Sequence, residues 1–279
     1  MHDIERIMAM EDNSNGYRAI RIGDPSDWRL IMVVSQHGME AYLRNVENPM
    51  DEVETLFRTE WEATGQELLD KVENAVYDHP QLLDDFSADI AIETAQSLWA
   101  PEEIVEGSDD PGDALFKEVF ACRDEDVMRD YQDGRVCLYT LTPGLQSFLQ
   151  RTFPGARIRS HQSVMVKRLG ERSADMPRVY VNIRRGEVDM IAMDGRKLLM
   201  AVTHEWRTND DIRYHLFNLM EVYGLKPNET LVSLSGIRDT KNELLQQLRD
   251  TVAFVMLTMV PGIAQKAGMS LTASLLMRS

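Results

Sequence analysis

Apolar positions along the chain fall into short runs divided by turn residues, and their spacing switches between strand-like and helical. Residues 28–34 form a largely apolar run, the pattern of a strand buried on both faces. Gln36-His37-Gly38 then reads as a tight turn, and residues 39–46 return as a second strand. Residues 50–77 carry Val53, Leu56, Phe57, Trp61, Leu68, Leu69, Val72 and Val76 at helical spacing, which predicts a helix broken near Gly65. A short strand over 88–92 is followed by Trp99-Ala100-Pro101-Glu102-Glu103, which ends it and opens a helix, since proline is tolerated in a first turn. Residues 106–112 are acidic and rich in Gly and Pro, hence a loop; 113–120 are helical. A strand over 135–141 is entered through Asp133-Gly134. Thr142 caps the next helix, with Leu145, Phe148 and Leu149 on one face and Phe153-Pro154-Gly155 as its stop. A short strand over 156–161, a helix over 163–169 and the polar stretch 170–177 close this half.

The second half repeats the order. Strands over 179–183, 187–193 and 197–203 are joined by turns at Arg185-Gly186 and Asp194-Gly195. Thr208-Asn209-Asp210-Asp211 caps a helix that runs to Tyr223 and stops at Gly224, with Ile212, Leu216, Leu219 and Met220 on one face. A buried strand over 230–234 turns at Ser235-Gly236 into a helix over 240–250, and an apolar run over 251–260 reads as a final buried strand. Strand–turn–strand, long helix, strand, helix, strand, helix thus occurs twice without matching residue identities. Hairpins followed by strands and helices in alternation imply mixed sheets with parallel crossovers, an α/β fold of two lobes. The expected division is an extension over 1–24, a first lobe over 25–170 and a second over 171–279.

Composition narrows the setting. The 279 residues are 43% hydrophobic and 27% charged, enough to bury a core without staples. A formal charge of −16 repels nucleic acid and anionic membrane and favours solubility or a basic partner. Cys122 and Cys137 have neither disulfide-framework nor zinc-site spacing, and Cys137 sits in an apolar run as a core residue. The first fifteen residues lack an apolar signal region, and 251–260 is about half of a membrane span, so a cytoplasmic location is expected.

Trp99-Ala100-Pro101-Glu102-Glu103-Ile104, Arg151-Thr152-Phe153-Pro154-Gly155-Ala156 with His161, Val179-Tyr180-Val181-Asn182-Ile183, and Asp210-Asp211-Ile212-Arg213-Tyr214-His215 through Gly224-Leu225 to Leu234-Ser235-Gly236 together give the chain a family likeness. From about Trp28 onward it resembles a bacterial family known as domain-of-unknown-function family 3822, whose structural relatives have an actin-like ATPase fold, related to ribonuclease H. The resemblance implies a duplicated fold with a mixed sheet flanked by helices in each lobe. It implies no particular activity.

Nucleotide-using proteins of that fold hold ATP between the lobes and place a carboxylate and small residues in the hairpin after each lobe's first strand, to organise Mg²⁺ and reach phosphates. The matching turns here are Gln36, His37 and Gly38, and Asn182, Arg184, Arg185 and Gly186. The first has no acid, and Asn182 stands where one is expected. Ser235 and Gly236 open a helix after a buried strand, where adenosine contacts fall by analogy; a tight strand-to-helix turn is the simpler explanation, since a lone Ser-Gly is a weak signal. His204-Glu205 and His215 lack metal-ligand spacing, and Asp210-Asp211 is accounted for as a helix cap. These residues therefore point to a non-catalytic binding or scaffold protein with an unknown protein partner, no cofactor, no catalytic residue and no metal. The alternative is a protein that binds or hydrolyses ATP with Mg²⁺ through degenerate motifs. A ribonuclease H-like nuclease needs converging carboxylates that the first strands lack.

Overall fold

The computed structural model describes residues 24–48, 53–106, 111–120, 126–171 and 176–278. In chain order the first half comprises β1 (Trp28–Ser35), β2 (Gly38–Asn45), β3 (Val53–Glu60), α1 (Gly65–Tyr77), β4 (Ser87–Glu93), β5 (Ser97–Pro101), α2 (Glu102–Glu106), α3 (Pro111–Phe120), β6 (Asp126–Gln132), β7 (Arg135–Leu141), α4 (Leu145–Thr152), β8 (Arg157–Ser160) and α5 (His161–Gly170). The second comprises β9 (Arg178–Ile183), β10 (Glu187–Asp194), β11 (Lys197–Glu205), α6 (Asn209–Val222), β12 (Leu231–Gly236), α7 (Arg238–Leu248), β13 (Phe254–Leu257), α8 (Gly262–Lys266) and α9 (Leu271–Leu276).

The duplication is exact in topology. One sheet runs β3-β2-β1-β4-β8 and the other β11-β10-β9-β12-β13. In each the first three strands are antiparallel and the last two join in parallel through helical crossovers. A third, three-stranded sheet, β5-β7-β6, is inserted in the first half.

Both central strands are buried on two sides, which is why their sequences read as runs and not as alternations. From β1, Leu30, Met32 and Val34 join the core under α1 and α4. Ile31 and Val33 on the opposite face join a core shared with α5, α9 and Tyr180, Ile191 and Met193 of the second sheet. Each such side chain contributes roughly 1.5–3 kcal/mol by burial. The second sheet closes its other face against α6 and α7 through Val179, Val181, Val232, Leu234, Leu216 and Leu244. Thus α9, from the C-terminal end, is buried between the sheets and packs on β1, β4 and α5.

Several sequence expectations need correction. Residues 53–60 are strand, and the helix is only Gly65–Tyr77. The β2–β3 register steps from Ala41↔Phe57 to Tyr42↔Thr55, which leaves Leu56 as a bulge. That extra residue puts apolar side chains at 53, 56 and 57, a spacing that imitates a helix. Trp99, Ala100 and Pro101 belong to β5, with the helix starting one residue later, and β6 was not anticipated. Gly144, in the left-handed conformation, precedes α4 in place of a Thr142 cap. Among the described residues β13 is an edge strand with Phe254, Met256 and Leu257 exposed, and not a buried one. Cys122 lies outside the described residues; Cys137 is a free, buried thiol whose pKa burial pushes up to about 12.

The α6 cap is as expected: Thr208 and Asp211 form a reciprocal capping box, and Asp210 pairs with Arg213 at 2.9 Å. The helix and β11 also stack His204 on His215, with centroids 4.0 Å apart. Burial and then the neighbouring His215 lower the His204 pKa from 6.5 to about 4. The unfolded chain therefore takes up a proton that the folded one refuses, and the stability owed to neutral His204 is present above pH 6.5 and lost towards 4. An NMR titration of the ring should show a midpoint near 4. His204→Phe should lose less unfolding free energy than the parent across the same interval.

Candidate functional site

The two hairpins expected to flank a nucleotide do face each other, but they touch. Gln36 Nε2 donates to Glu187 Oε1 at 2.9 Å, across the lobes. Arg185 meets Glu62 at 2.9 Å, and the other Glu62 oxygen lies 2.8 Å from His37 Nδ1. The first turn is held by Trp61, whose indole N–H donates to the Ser35 carbonyl. The second is held by Trp206, whose indole N–H donates to the carbonyls of Arg184 and Glu187. Gly38 is required there, since a Cβ would lie 2.3 Å from the Thr59 carbonyl oxygen of β3.

Behind the turns lies a buried charge network centred on Arg184 and Asp189. Arg184 makes a two-pronged pair with Asp189, at 2.8 and 2.9 Å, and its third nitrogen meets Glu187 at 2.5 Å and Glu93 at 3.6 Å. Glu93 ends β4, so this guanidinium ties the lobes together. Asp189 also accepts from Asn182 Nδ2 at 3.0 Å and Thr203 Oγ1 at 2.8 Å, and lies 2.9 Å from His161 Nε2. Burial alone would raise the Asp189 carboxyl, but Arg184 and His161 outweigh it and hold it well below the usual carboxylate range. Burial likewise works against the Arg184 cation, yet Asp189, Glu93 and Glu187 raise its pKa further.

Asn182 is explained by the same network. It donates to Asp189 and accepts from Ser235 Oγ at 3.0 Å. An acid at 182 would set a second carboxylate against Asp189, its register partner on β10. The Asn that looked like a lost Mg²⁺ ligand is a neutral spacer in an ion-pair array. Sequence reasoning passed over Glu93, Glu187 and Asp189, and named His161 only within the family likeness. The signal was present in β10, where Glu187 and Asp189 alternate with Val188 and Met190 inside a strand buried on both faces.

Beside this bridge opens a cleft of about 740 Å³. His37, Gly38, Asn182, Arg184, Arg185, Ser235 and Gly236 line it; Gln36 and Gly186 do not. Lys241 of α7 and Arg58 of β3 also reach it, the latter donating to the Gly268 carbonyl at 3.1 Å. On the α9 side Glu40 accepts from Tyr42 at 2.8 Å and from the Ser270 hydroxyl; burial raises its pKa, against these bonds. Gly236, at φ +95°, sits hard against the end of β9: a Cβ would lie 1.9 Å from the Ile183 carbonyl oxygen, which accepts from Ile237 N at 3.0 Å. Its need for glycine is thereby met by the fold itself. Among the described residues no three His, Cys, Asp or Glu side chains converge as metal ligands. None of the described helices is long and apolar enough to cross a membrane.

This architecture is shared with solved structures. A Bacteroides thetaiotaomicron VPI-5482 protein, described as having an actin-like ATPase fold and unknown function, matches with a TM-score of 0.79 and 18% identity over 91% of this chain and 97% of that one. The PilM–PilN type IV pilus biogenesis complex matches with a TM-score of 0.53 and 10% identity over 89% and 96%. No curated protein matches in sequence. The family model described as "Protein of unknown function (DUF3822)" matches residues 29–253, so the chain, on its actin-like ATPase fold, belongs to that family.

Proposed function

We propose that this protein is a non-catalytic, partner-binding member of the actin-like architecture, acting in the cytoplasm without nucleotide or metal. The carrying observation is the closed bridge between the hairpins. Glu93, Glu187 and Asp189 are all turned onto Arg184, and Gln36 spans the gap in which phosphates would lie. Opening that gap for phosphates would break the Gln36–Glu187 hydrogen bond and part Arg184 from Glu93, while the Arg184 pairs with Glu187 and Asp189 stay within the second lobe. A nucleotide with a millimolar dissociation constant supplies only about 4 kcal/mol in all. The loss of charged contacts across the gap therefore weighs against such a ligand. The net charge of −16 favours a basic protein partner over nucleic acid. A structure with this fold is described as a complex in type IV pilus biogenesis, which supports a role in assembly.

The second reading, ATP binding with Mg²⁺, is favoured by the cleft beside the bridge, which Lys241 and Ser235 border. Isothermal titration decides between them. The expected result is no binding of Mg-ATP tighter than roughly millimolar. Tighter binding that is lost in Lys241→Ala overturns the non-catalytic reading.

A further inference from the structure

The second sheet ends at β13, which among the described residues pairs only with β12. Exposed edges are ordinarily protected by charges, prolines or bulges. Residues 251–260 contain no charge and no proline, and the β12–β13 register has no bulge. In a chain that is 27% charged this is an unusual stretch to leave at an edge. Alternation puts Val255 and Leu257 on the face of Val232 and Leu234, towards α7, and Phe254 and Met256 on the other. Phe254 is 44% exposed, Met256 41% and Leu257 38%. Ile237, 40% exposed, lines the cleft together with Leu257. Large apolar side chains left exposed on an unpaired sheet edge mark an interaction site.

We propose that β13 is a docking edge: an extended segment of a partner protein, apolar at alternate positions and flanked by lysine or arginine, adds to it as a sixth strand. This names the binding mode of the partner-binding reading above and rests on it. Main-chain hydrogen bonds supply affinity in such additions, and alternate side chains supply selectivity. Thr258 N donates to the Leu234 carbonyl at 2.7 Å, which holds the end of β13 against β12 and leaves its other edge to a sixth strand. Charge selects the occupant. A second copy would bring one chain of −16 against another, whereas a basic flank is attracted by that net charge.

The test uses the full chain and two synthetic peptides, acetyl-Lys-Val-Thr-Val-Thr-Val-Lys and its twin with glutamate at both ends. With the lysine peptide at ~1 mM, amide exchange of β13 should slow by about tenfold while that of β3, the edge of the first sheet, is unchanged. Met256→Lys places a charge on the edge at an exposed position. It should abolish that protection and leave the unfolding midpoint in place. The proposal is overturned by any of three results: no protection from the lysine peptide, equal protection from the glutamate peptide, or a dimer in sedimentation that Met256→Lys dissolves. None of these bears on the Mg-ATP titration, so a failed docking edge and a failed non-catalytic reading are told apart.

Discussion

Arg184→Met is expected to lose about 3–5 kcal/mol of unfolding free energy. The reason is the number of acids that one guanidinium serves. Asp189 is fully buried, Glu187 and Glu93 are nearly so, and all three lie within 3.6 Å of Arg184 nitrogens. Methionine fills much of the volume but leaves these carboxylates facing one another without a cation. Urea unfolding should show a lower midpoint at an unchanged slope, the sign of altered stability and not of altered compactness. Adding Asp189→Asn should recover about 1–3 kcal/mol, because the double variant no longer buries the worst-placed charge. The pH dependence has a definite sign. In the parent, Asp189 titrates well below 3.8, so its contribution is complete above that pH and lost as pH falls through the depressed value. In Arg184→Met the carboxyl keeps His161, Asn182 and Thr203 but loses Arg184, so burial moves its pKa upward and acidification costs the variant less than the parent. The gap between the two proteins should narrow as pH is lowered towards 4. A loss under about 1 kcal/mol at neutral pH would mean that the network is not what holds the lobes closed.

The duplicated fold could be read from the chain because its strands and helices are each dictated locally. Thr208 and Asp211 announce a capped helix, Gly224 ends it, and the runs over β1 and β9 show strands covered on both faces. What escaped the reading depends on contacts between distant residues. Leu56 looks helical only because a bulge, set by pairing with β2, breaks the strand alternation. The apolar residues of α9 span barely two turns, and their burial comes from β1, β4 and α5, far away in sequence. The site divided in the same way. The hairpin positions were found from their order in the fold, so seven of the nine candidate residues line one cleft. The acids that decide its chemistry were missed, because Glu93 meets Arg184 only across the two halves of the fold. Asn182 was noticed for the residue it replaces, yet its meaning lies in Asp189 and Ser235.

Gly236→Ala separates the two meanings of the Ser235-Gly236 turn, and does so in the absence of any ligand. If glycine is present to let a nucleotide approach the backbone, alanine leaves the free protein intact. If the fold itself demands it, alanine destabilises. The geometry favours the second outcome on two counts. At φ +95° an L side chain is strained, by about 1–3 kcal/mol. The new methyl group would also lie 1.9 Å from the Ile183 carbonyl oxygen and 2.7 Å from the Ile183 nitrogen, both backbone atoms that cannot swing aside as a side chain end would. Relief requires β9 and β12 to part at their ends, which breaks the Ile237 N–Ile183 O bond of 3.0 Å and disturbs the backbone that carries Arg184. Overpacking of this kind adds about 1–3 kcal/mol. The expected total is about 2–6 kcal/mol, read as a lower urea midpoint, with the loss smaller in an Arg184→Met background where the bridge is already broken. An unchanged midpoint would return Gly236 to the nucleotide reading, since nothing in the free protein would then account for it.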